Sequence, residues 1–464
     1  MSEPILITGY GWISPLGSSA SANDFDKNLF SGVIGVQARA IELPSQPIVH
    51  VPIAPCDFDH SRVQSASKVP LDRGAAMALS AAKDALLQAG LAKHKEEPGS
   101  AANNNSSPQV IDRDIDRGIP HSFELTMGDI DSTRVGVFWG SGMAGAFSFD
   151  QTAEQIYQHG KRVRPTSVVT IMPNSAAAEL ALLIKAQGAC MTYACACASS
   201  SVAMGEALRA LRAGWLDVAL VGGSESMLTP GVLASWNALR VLSPLKDTDP
   251  QTLSSACRPF NQDRSGFALG EGAGAFVLER QSHAQRRGAV SKFALTGYAS
   301  NCDATHMTLP DAAGQERAIR AALKDANLNA SDIGYVNAHA TATTAGDAAE
   351  VSSVAEVLGT RVPISSTKAQ FGHLLGAAGA LEMIASIKAL EHQSLPPNAN
   401  LNPDGIDPNF KLNFVGKESK SNNSNTFGVH NKASQPLRHV LSNSFAFGGT
   451  NAVLIASLID GLGP

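Results

Sequence analysis

The chain has 464 residues, 44% of them hydrophobic and 17% charged, with a formal net charge of −5. That length supports a large core and more than one folding unit, and the mixed, weakly acidic charge gives no global pull toward nucleic acid or an anionic membrane. No apolar run reaches membrane-spanning length, the start Met1-Ser2-Glu3-Pro4-Ile5 lacks a secretory-signal pattern, and six cysteines in so long a chain do not make a disulfide framework, so a reducing cytoplasm is the expected setting.

In chain order, Ile5 to Tyr10 reads as a strand closing into a Gly-rich turn. Arg73 to Ala89 has helical spacing, with Gly90 as its C-cap. Residues from about 93 to 133 are rich in Asn, Ser, Asp and Pro and read as a surface insertion. Arg134 to Trp139 is a strand, Ala176 to Ala186 a helix, Met191 to Ala196 a buried strand, Ser199 to Ala213 a helix capped by Gly214, and Val218 to Gly222 another buried strand. After Arg280 the pattern restarts: strand Phe293 to Tyr298, helix Gln315 to Ala326, strand Ile333 to Ala338, helix Asp347 to Leu358. A second hydrophilic insertion runs from about 416 to 435. Such alternation predicts an α/β fold with a largely parallel sheet, and the restart predicts two similar halves, residues 1–280 and 281–464.

Three separated segments carry chemistry: Ala196-Cys197-Ala198-Ser199-Ser200-Ser201, Asn337-Ala338-His339-Ala340-Thr341-Ala342-Thr343, and Lys368-Ala369-Gln370-Phe371-Gly372-His373. Cys197 lies where a buried strand passes into a helix, so its sulfur is expected at the helix N-terminus, where free N–H groups and the positive dipole end lower a thiol pKa. A thiolate can hold an acyl group covalently. Two neutral imidazoles can donate to a thioester carbonyl and stabilise the enolate formed there. These are parts for carbon–carbon bond formation on a thioester. A metal reading of Cys190, Cys195 and Cys197 fails for want of a matching second ligand pair, since the chain has no Cys-x-x-Cys, and no metal is expected.

With Thr8-Gly9-Tyr10-Gly11, Arg258-Pro259-Phe260-Asn261-Gln262-Asp263-Arg264-Ser265-Gly266-Phe267, Gly372-His373-Leu374-Leu375-Gly376-Ala377-Ala378-Gly379-Ala380 and Asn443-Ser444-Phe445-Ala446-Phe447-Gly448-Gly449-Thr450-Asn451 in the same order, the chain resembles an elongating β-ketoacyl-acyl carrier protein synthase of the thiolase superfamily. The resemblance runs from Ile5 to Ser457 apart from the two insertions. It implies a thiolase-like α/β fold, with two βαβαβαββ halves forming a five-layered αβαβα core. It implies decarboxylative Claisen condensation in fatty acid biosynthesis, with an aryl polyene or type II polyketide pathway as the alternative and a non-catalytic ketosynthase-like subunit as the remote one. The catalytic residues would be Cys197, His339 and His373, with Lys368 and its carboxylate partner Glu382 supporting His373. Phe447 and Cys197 would form the oxyanion hole, and Phe445, Phe447, Gly448 and Gly449 the gating loop. Thr341 and Thr343 would contact the pantetheine arm. No cofactor of the enzyme's own is implied, because the substrates ride on the phosphopantetheine of acyl carrier protein.

The implied partners are that carrier and a second subunit, in a homodimer or a heterodimer with a ketosynthase-like partner, paired through the strand Met191 to Ala196. Lys161 and Arg162, with Arg240, align with positions that face the carrier, and Arg164 adds to the same basic run. A thiolase would need a second, C-terminal cysteine, and none follows Cys302; an initiating synthase would carry Asn in place of His373. Three positions depart from the family pattern: Ala340, Ala446 and Asn261 stand where Gly, Gly and Asp are usual. Ala446 is expected to restrict the gate, because alanine resists positive φ.

Overall fold

The computed structural model describes residues 3–42, 47–94, 123–417 and 435–459. Most of both hydrophilic insertions, residues 95–122 and 418–434, lies outside them; the described ends of the first close as a short antiparallel pair, Ala92–His94 with Phe123–Leu125. Among the described residues no helix is long and apolar enough to cross a membrane.

The first half contributes β1 (Ile5–Ser14), α1 (Arg73–Gln88), β2 (Val135–Gly140), α2 (Ser175–Ile184), β3 (Cys190–Tyr193), α3 (Ser199–Arg212), β4 (Val218–Glu225) and β5 (Gly272–Arg280). The second contributes β6 (Phe293–Cys302), α4 (Ala312–Ala326), β7 (Tyr335–Asn337), α5 (Thr344–Leu358), β8 (Pro363–Ser365), α6 (Ala378–His392), β9 (His439–Phe445) and β10 (Thr450–Leu458). Each half is therefore βαβαβαββ. The strand orders also agree: β1-β5-β4-β2-β3 in one half and β6-β10-β9-β7-β8 in the other, with the first two pairings antiparallel and the last two parallel in both. The two sheets join through a short antiparallel pairing of Ile5 and Leu6 with Leu295 and Ala294.

The layering follows from which faces are apolar. Val135–Gly140 and Val218–Glu225 are buried along their whole length, as expected of central strands covered on both faces. Helices α1 and α2 cover the outer face of the first sheet, and α4 with α5 covers the second. Helices α3 and α6 lie between the sheets and contact strands of both. The result is the five-layered αβαβα core of the thiolase-like fold. The middle layer is tight: a Cβ on Gly379 of α6 would stand 2.0 Å from Ser201 Oγ of α3, so only glycine permits this approach.

Two features differ from the sequence reading. The sheet is mixed rather than largely parallel, because the final ββ pair of each half runs antiparallel and its last strand pairs antiparallel with that half's first strand. The strand at Met191 is not buried, and it ends at Tyr193 rather than Ala196. It stands last in the strand order, so one edge has no neighbour among the described residues, and Met191 is 48% exposed. Its apolar composition reflects that edge rather than the core.

Candidate active site

Cys197 sits in a single tight turn, Ala196–Ala198, between the end of β3 and α3. Ser199 staples this turn: its hydroxyl accepts from Cys195 N–H at 2.9 Å and donates to Ala196 O at 2.7 Å. Ala196 is thereby held at φ 48°, a left-handed conformation that costs a non-glycine residue about 1–3 kcal/mol and is characteristic of functional turns. The turn presents the sulfur at the start of α3. The backbone N–H groups of Phe447 and of Cys197 itself both reach it.

His373 follows the short helix Lys368–Phe371, which Gly372 ends at φ 71°. Its backbone is tied to the neighbouring segment on both sides, His373 N–H donating to Ala268 O at 2.7 Å and Gly270 N–H to His373 O at 2.9 Å. Its ring meets the edge of Phe267 at 5.0 Å, and Nε2 stands 3.0 Å from Cys197 Sγ. His339 leaves the end of β7. Glu350, inside α5, accepts from His339 N–H at 2.9 Å and Ala340 N–H at 2.6 Å, while Asn443 Nδ2 donates to the same carboxylate at 2.9 Å. The two imidazole rings cross at 80° with centroids 5.3 Å apart.

Burial decides the protonation of this group. Desolvation pushes both histidines well below their ordinary pKa, with the Lys368 charge acting the same way, so both rings are neutral. Desolvation also pushes the Cys197 thiol up to about 12, against the Lys368 charge and the N–H of Phe447, which act to lower it. This corrects the sequence expectation of a lowered thiol pKa. A helix N-terminus favours the thiolate, but the sulfur is buried among apolar groups, and that desolvation outweighs the dipole. Lys368 forms an ion pair with Glu382 of α6, with side chains 1% and 3% exposed, so this is a buried pair rather than a surface one.

A cleft of about 290 Å³ is lined by Cys197 and both histidines and also by Thr341 and Thr343. The hydroxyls of these two threonines are 3.0 Å apart, and Thr343 caps α5 by accepting from Gly346 N–H at 3.3 Å. One wall is Trp236, Leu239 and Val241; Met307 and Leu309 form part of another. Phe445 and Phe447 line the cleft, and Phe447 stacks on Trp236 with centroids 6.3 Å apart. The turn beyond Phe447 is carried by Gly448 at φ 84° and Gly449 at φ 77°, and it is anchored by Gly448 N–H to Met307 O at 2.7 Å and Asp303 N–H to Gly449 O at 2.8 Å. Ala446 itself lies at φ −110°, ψ 155°. The expected restriction therefore does not arise in this conformation, since the extended region admits alanine without strain. Ala340 likewise has no positive φ, and Asn261 is buried with its amide donating to Asn400 O at 3.2 Å.

Lys161, Arg162 and Arg164 are exposed on the segment after the helix Ala146–Tyr157, which packs against the helix Pro230–Ala238. Arg240 is exposed between Leu239 and Val241, two residues that line the cleft. Sequence reasoning missed Trp236, Met307 and Glu350. Trp236 stands four positions before Arg240 and could have been sought there; Glu350 looks like any acidic residue of an amphipathic helix. Among the described residues, Cys197, His339 and His373 are the one group whose donor atoms could close on a metal, all within 4.8 Å of one another. Neither imidazole Nδ1 has a hydrogen-bond partner among the described residues, so the support that usually orients a ligating histidine is missing there.

Models of the β-ketoacyl synthase N-terminal and C-terminal domains match residues 121–284 and 293–402. Nodulation protein E of Rhizobium leguminosarum bv. trifolii is 32% identical, the match covering 98% of this chain and 99% of that protein. A 3-oxoacyl-[acyl-carrier-protein] synthase 2 of Staphylococcus aureus (strain N315) is 30% identical, covering 98% of each. Among solved structures, a type II polyketide synthase acyl-carrier protein in complex with its ketosynthase bound to the hexaketide has a chain that matches with TM-score 0.78 and 26% identity, over 99% of this chain and 100% of that one.

Proposed function

The chain belongs to the β-ketoacyl synthase family, a family of acyl-transferring condensing enzymes, and from that premise we propose that it acts as a 3-oxoacyl-acyl carrier protein synthase with Cys197 as the acyl-carrying residue. The observation that carries the reading is the convergence of Cys197 Sγ, His373 Nε2 at 3.0 Å and the neutral His339 ring in one buried cleft.

In the first half-reaction the Cys197 sulfur attacks the thioester carbonyl of an acyl carrier. The carrier's thiolate leaves and takes up the proton that Cys197 gives up. The tetrahedral oxyanion is held by the N–H groups of Cys197 and Phe447. In the second, malonyl carrier enters and its carboxylate carbon–carbon bond breaks. Carbon dioxide leaves, and the electron pair becomes an enolate whose oxygen accepts hydrogen bonds from Nε2–H of His339 and His373. Neutral imidazole suits this task, because it donates a hydrogen bond while being too weak an acid to protonate the carbanion. The enolate carbon then attacks the acyl carbonyl, the bond to sulfur breaks, and the Cys197 thiolate that leaves takes up a proton from solvent. The product is a β-ketoacyl thioester two carbons longer.

The arm bearing the substrates passes Thr341 and Thr343, and no cofactor resident on the enzyme is required. Lys161, Arg162 and Arg240 meet the acidic carrier. A second copy of the chain pairs along β3, whose free edge carries the exposed Met191. The six cysteines are all free, two of them exposed, which suits the cytoplasm. The test is mass spectrometry of products formed from malonyl carrier and a panel of acyl carriers. Products two carbons longer than each accepted acyl group support the proposal; carbon dioxide release without any elongated product, or no reaction with any carrier, overturns it.

A further inference from the structure

We propose that Arg264 is a positioning residue for the pantetheine arm, clamping the loop that carries Thr341 and Thr343; this rests on the reading of those threonines given above. Arg264 comes from the segment between β4 and β5, far in sequence from the loop it holds. Its side chain is 4% exposed. Nη2 donates to Thr344 O at 3.1 Å and Nε to Thr343 O at 3.4 Å. Nη1 donates to Asp407 Oδ2 at 2.8 Å and to Asn261 O at 2.9 Å. The guanidinium also lies over the Phe410 ring, 4.6 Å from its centroid.

The loop needs holding. Ala342, between the two threonines, is at φ 60°, and no glycine relieves it. Its N–H is taken by Asp347 Oδ1 at 3.0 Å and its carbonyl by Gly266 N–H at 2.8 Å. Arg264 fixes the next two carbonyls in the chain. Released from this grip, Ala342 relaxes toward negative φ. That rotation separates the Thr341 and Thr343 hydroxyls, now 3.0 Å apart, and turns them from the cleft. Only a planar fork with several donors spans two successive carbonyls, a third carbonyl and a carboxylate together; lysine cannot. The departure at Asn261 fits the same arrangement. Its amide donates to Asn400 O, which an aspartate could not do, and its backbone carbonyl is left for Arg264, so Asp407 supplies the carboxylate that is hydrogen-bonded to the guanidinium.

The experiment compares KM for malonyl carrier with KM for malonyl-N-acetylcysteamine, a short thioester that ends before most of the arm. Arg264→Lys is expected to raise the ratio of carrier KM to short-thioester KM about tenfold, the scale of one lost charge-assisted hydrogen bond. Asp407→Asn, which weakens the clamp from outside, is expected to raise it about threefold and serves as the readout if Arg264→Lys does not fold. Thr341→Ala with Thr343→Ala is the control for the underlying reading. If that pair raises the ratio but Arg264→Lys and Asp407→Asn leave it unchanged, or lower kcat on both substrates equally, the clamp is refuted and the pantetheine reading stands. If the threonine pair leaves the ratio unchanged, the pantetheine reading falls and the clamp with it.

Discussion

Replacing Lys368 tests whether the buried pair serves stability, chemistry or both. Lys368 and Glu382 are almost wholly buried, and Glu382 Oε2, the carboxylate oxygen not bonded to Lys368, has no hydrogen-bond partner among the described residues. Removing one member of such a pair leaves an uncompensated charge, at about 3–5 kcal/mol, a large share of the about 5–15 kcal/mol that holds a typical protein folded. Burial already raises the Glu382 pKa above its ordinary 4.5, with Lys368 opposing, so Lys368→Ala raises it further. An acid with a raised folded pKa binds more protons folded than unfolded. The stability of Lys368→Ala should therefore fall as pH rises from 4.5 and level off only above the new folded value. Urea unfolding at several pH values measures this. The double variant Lys368→Met with Glu382→Leu fills the space with apolar groups and should recover most of the lost stability. It should not recover activity. Lys368 is the foremost influence lowering the Cys197 thiol, ahead of the opposing effect of Glu382, so the pair's net help is lost. Each unit of thiol shift is about tenfold in reactive thiolate, so condensation should stay below the parent. Full stability of Lys368→Ala at pH 8 would refute the buried-pair argument. Full condensation by the double variant would show that Lys368 serves only to satisfy Glu382.

The other predictions address each half-reaction and the two interfaces. Cys197→Gln should keep malonyl decarboxylation while losing elongation, because the amide occupies the acylated sulfur's place; carbon dioxide release that stops with elongation goes against it. His339→Ala and His373→Ala should each still take up some acyl label at Cys197, read by peptide mass, yet fail to release carbon dioxide from malonyl carrier. Reversing Arg162 and Arg240 to Glu should raise KM for acyl carrier and flatten its salt dependence, since rim charges mainly set association rate; a small pantetheine thioester should be turned over nearly as before, and equal harm to both would mark the cluster as structural. Sedimentation should show a dimer, and charge placed on the exposed edge by Met191→Lys should weaken it.

The duplicated architecture was legible because strand and helix periodicity survives in both halves, from Val135–Gly140 to Phe293–Cys302. The place of Cys197 was legible because a strand, small residues and a helix in succession leave few places for it to go. What escaped was tertiary. The thiol pKa depends on how completely the histidines, Phe267 and the gate enclose the sulfur, and no local pattern reports that. The conformation of Ala446 could not be read either, since the strained dihedrals of the turn fall on Gly448 and Gly449 instead. Met191 was placed in the core because an apolar edge strand and an apolar central strand have the same composition. Trp236 and Arg264 act through partners more than 75 positions away, Phe447 and Thr343 to Asp407 respectively.

The same dryness that raises the thiol lowers the imidazoles, and the two shifts belong together. A wetter site would raise the population of the charge-separated form, an imidazolium beside a thiolate. Such an imidazolium would quench an enolate by protonating it. In the buried site the charge-separated form is disfavoured, so the resting trio is a thiol beside two neutral rings. In the proposed mechanism, negative charge is then admitted only where donors already wait: on the carbonyl oxygen near the N–H groups of Cys197 and Phe447 during acyl transfer, and on the enolate oxygen near the two Nε2 atoms after decarboxylation. His373 Nε2 is 3.0 Å from the sulfur, so in the proposed mechanism acylation of Cys197 removes the thiol as its partner and frees that nitrogen for the malonyl carbonyl. On this reading the order of the two half-reactions is built into one hydrogen bond, which must be given up by the first before it can serve the second.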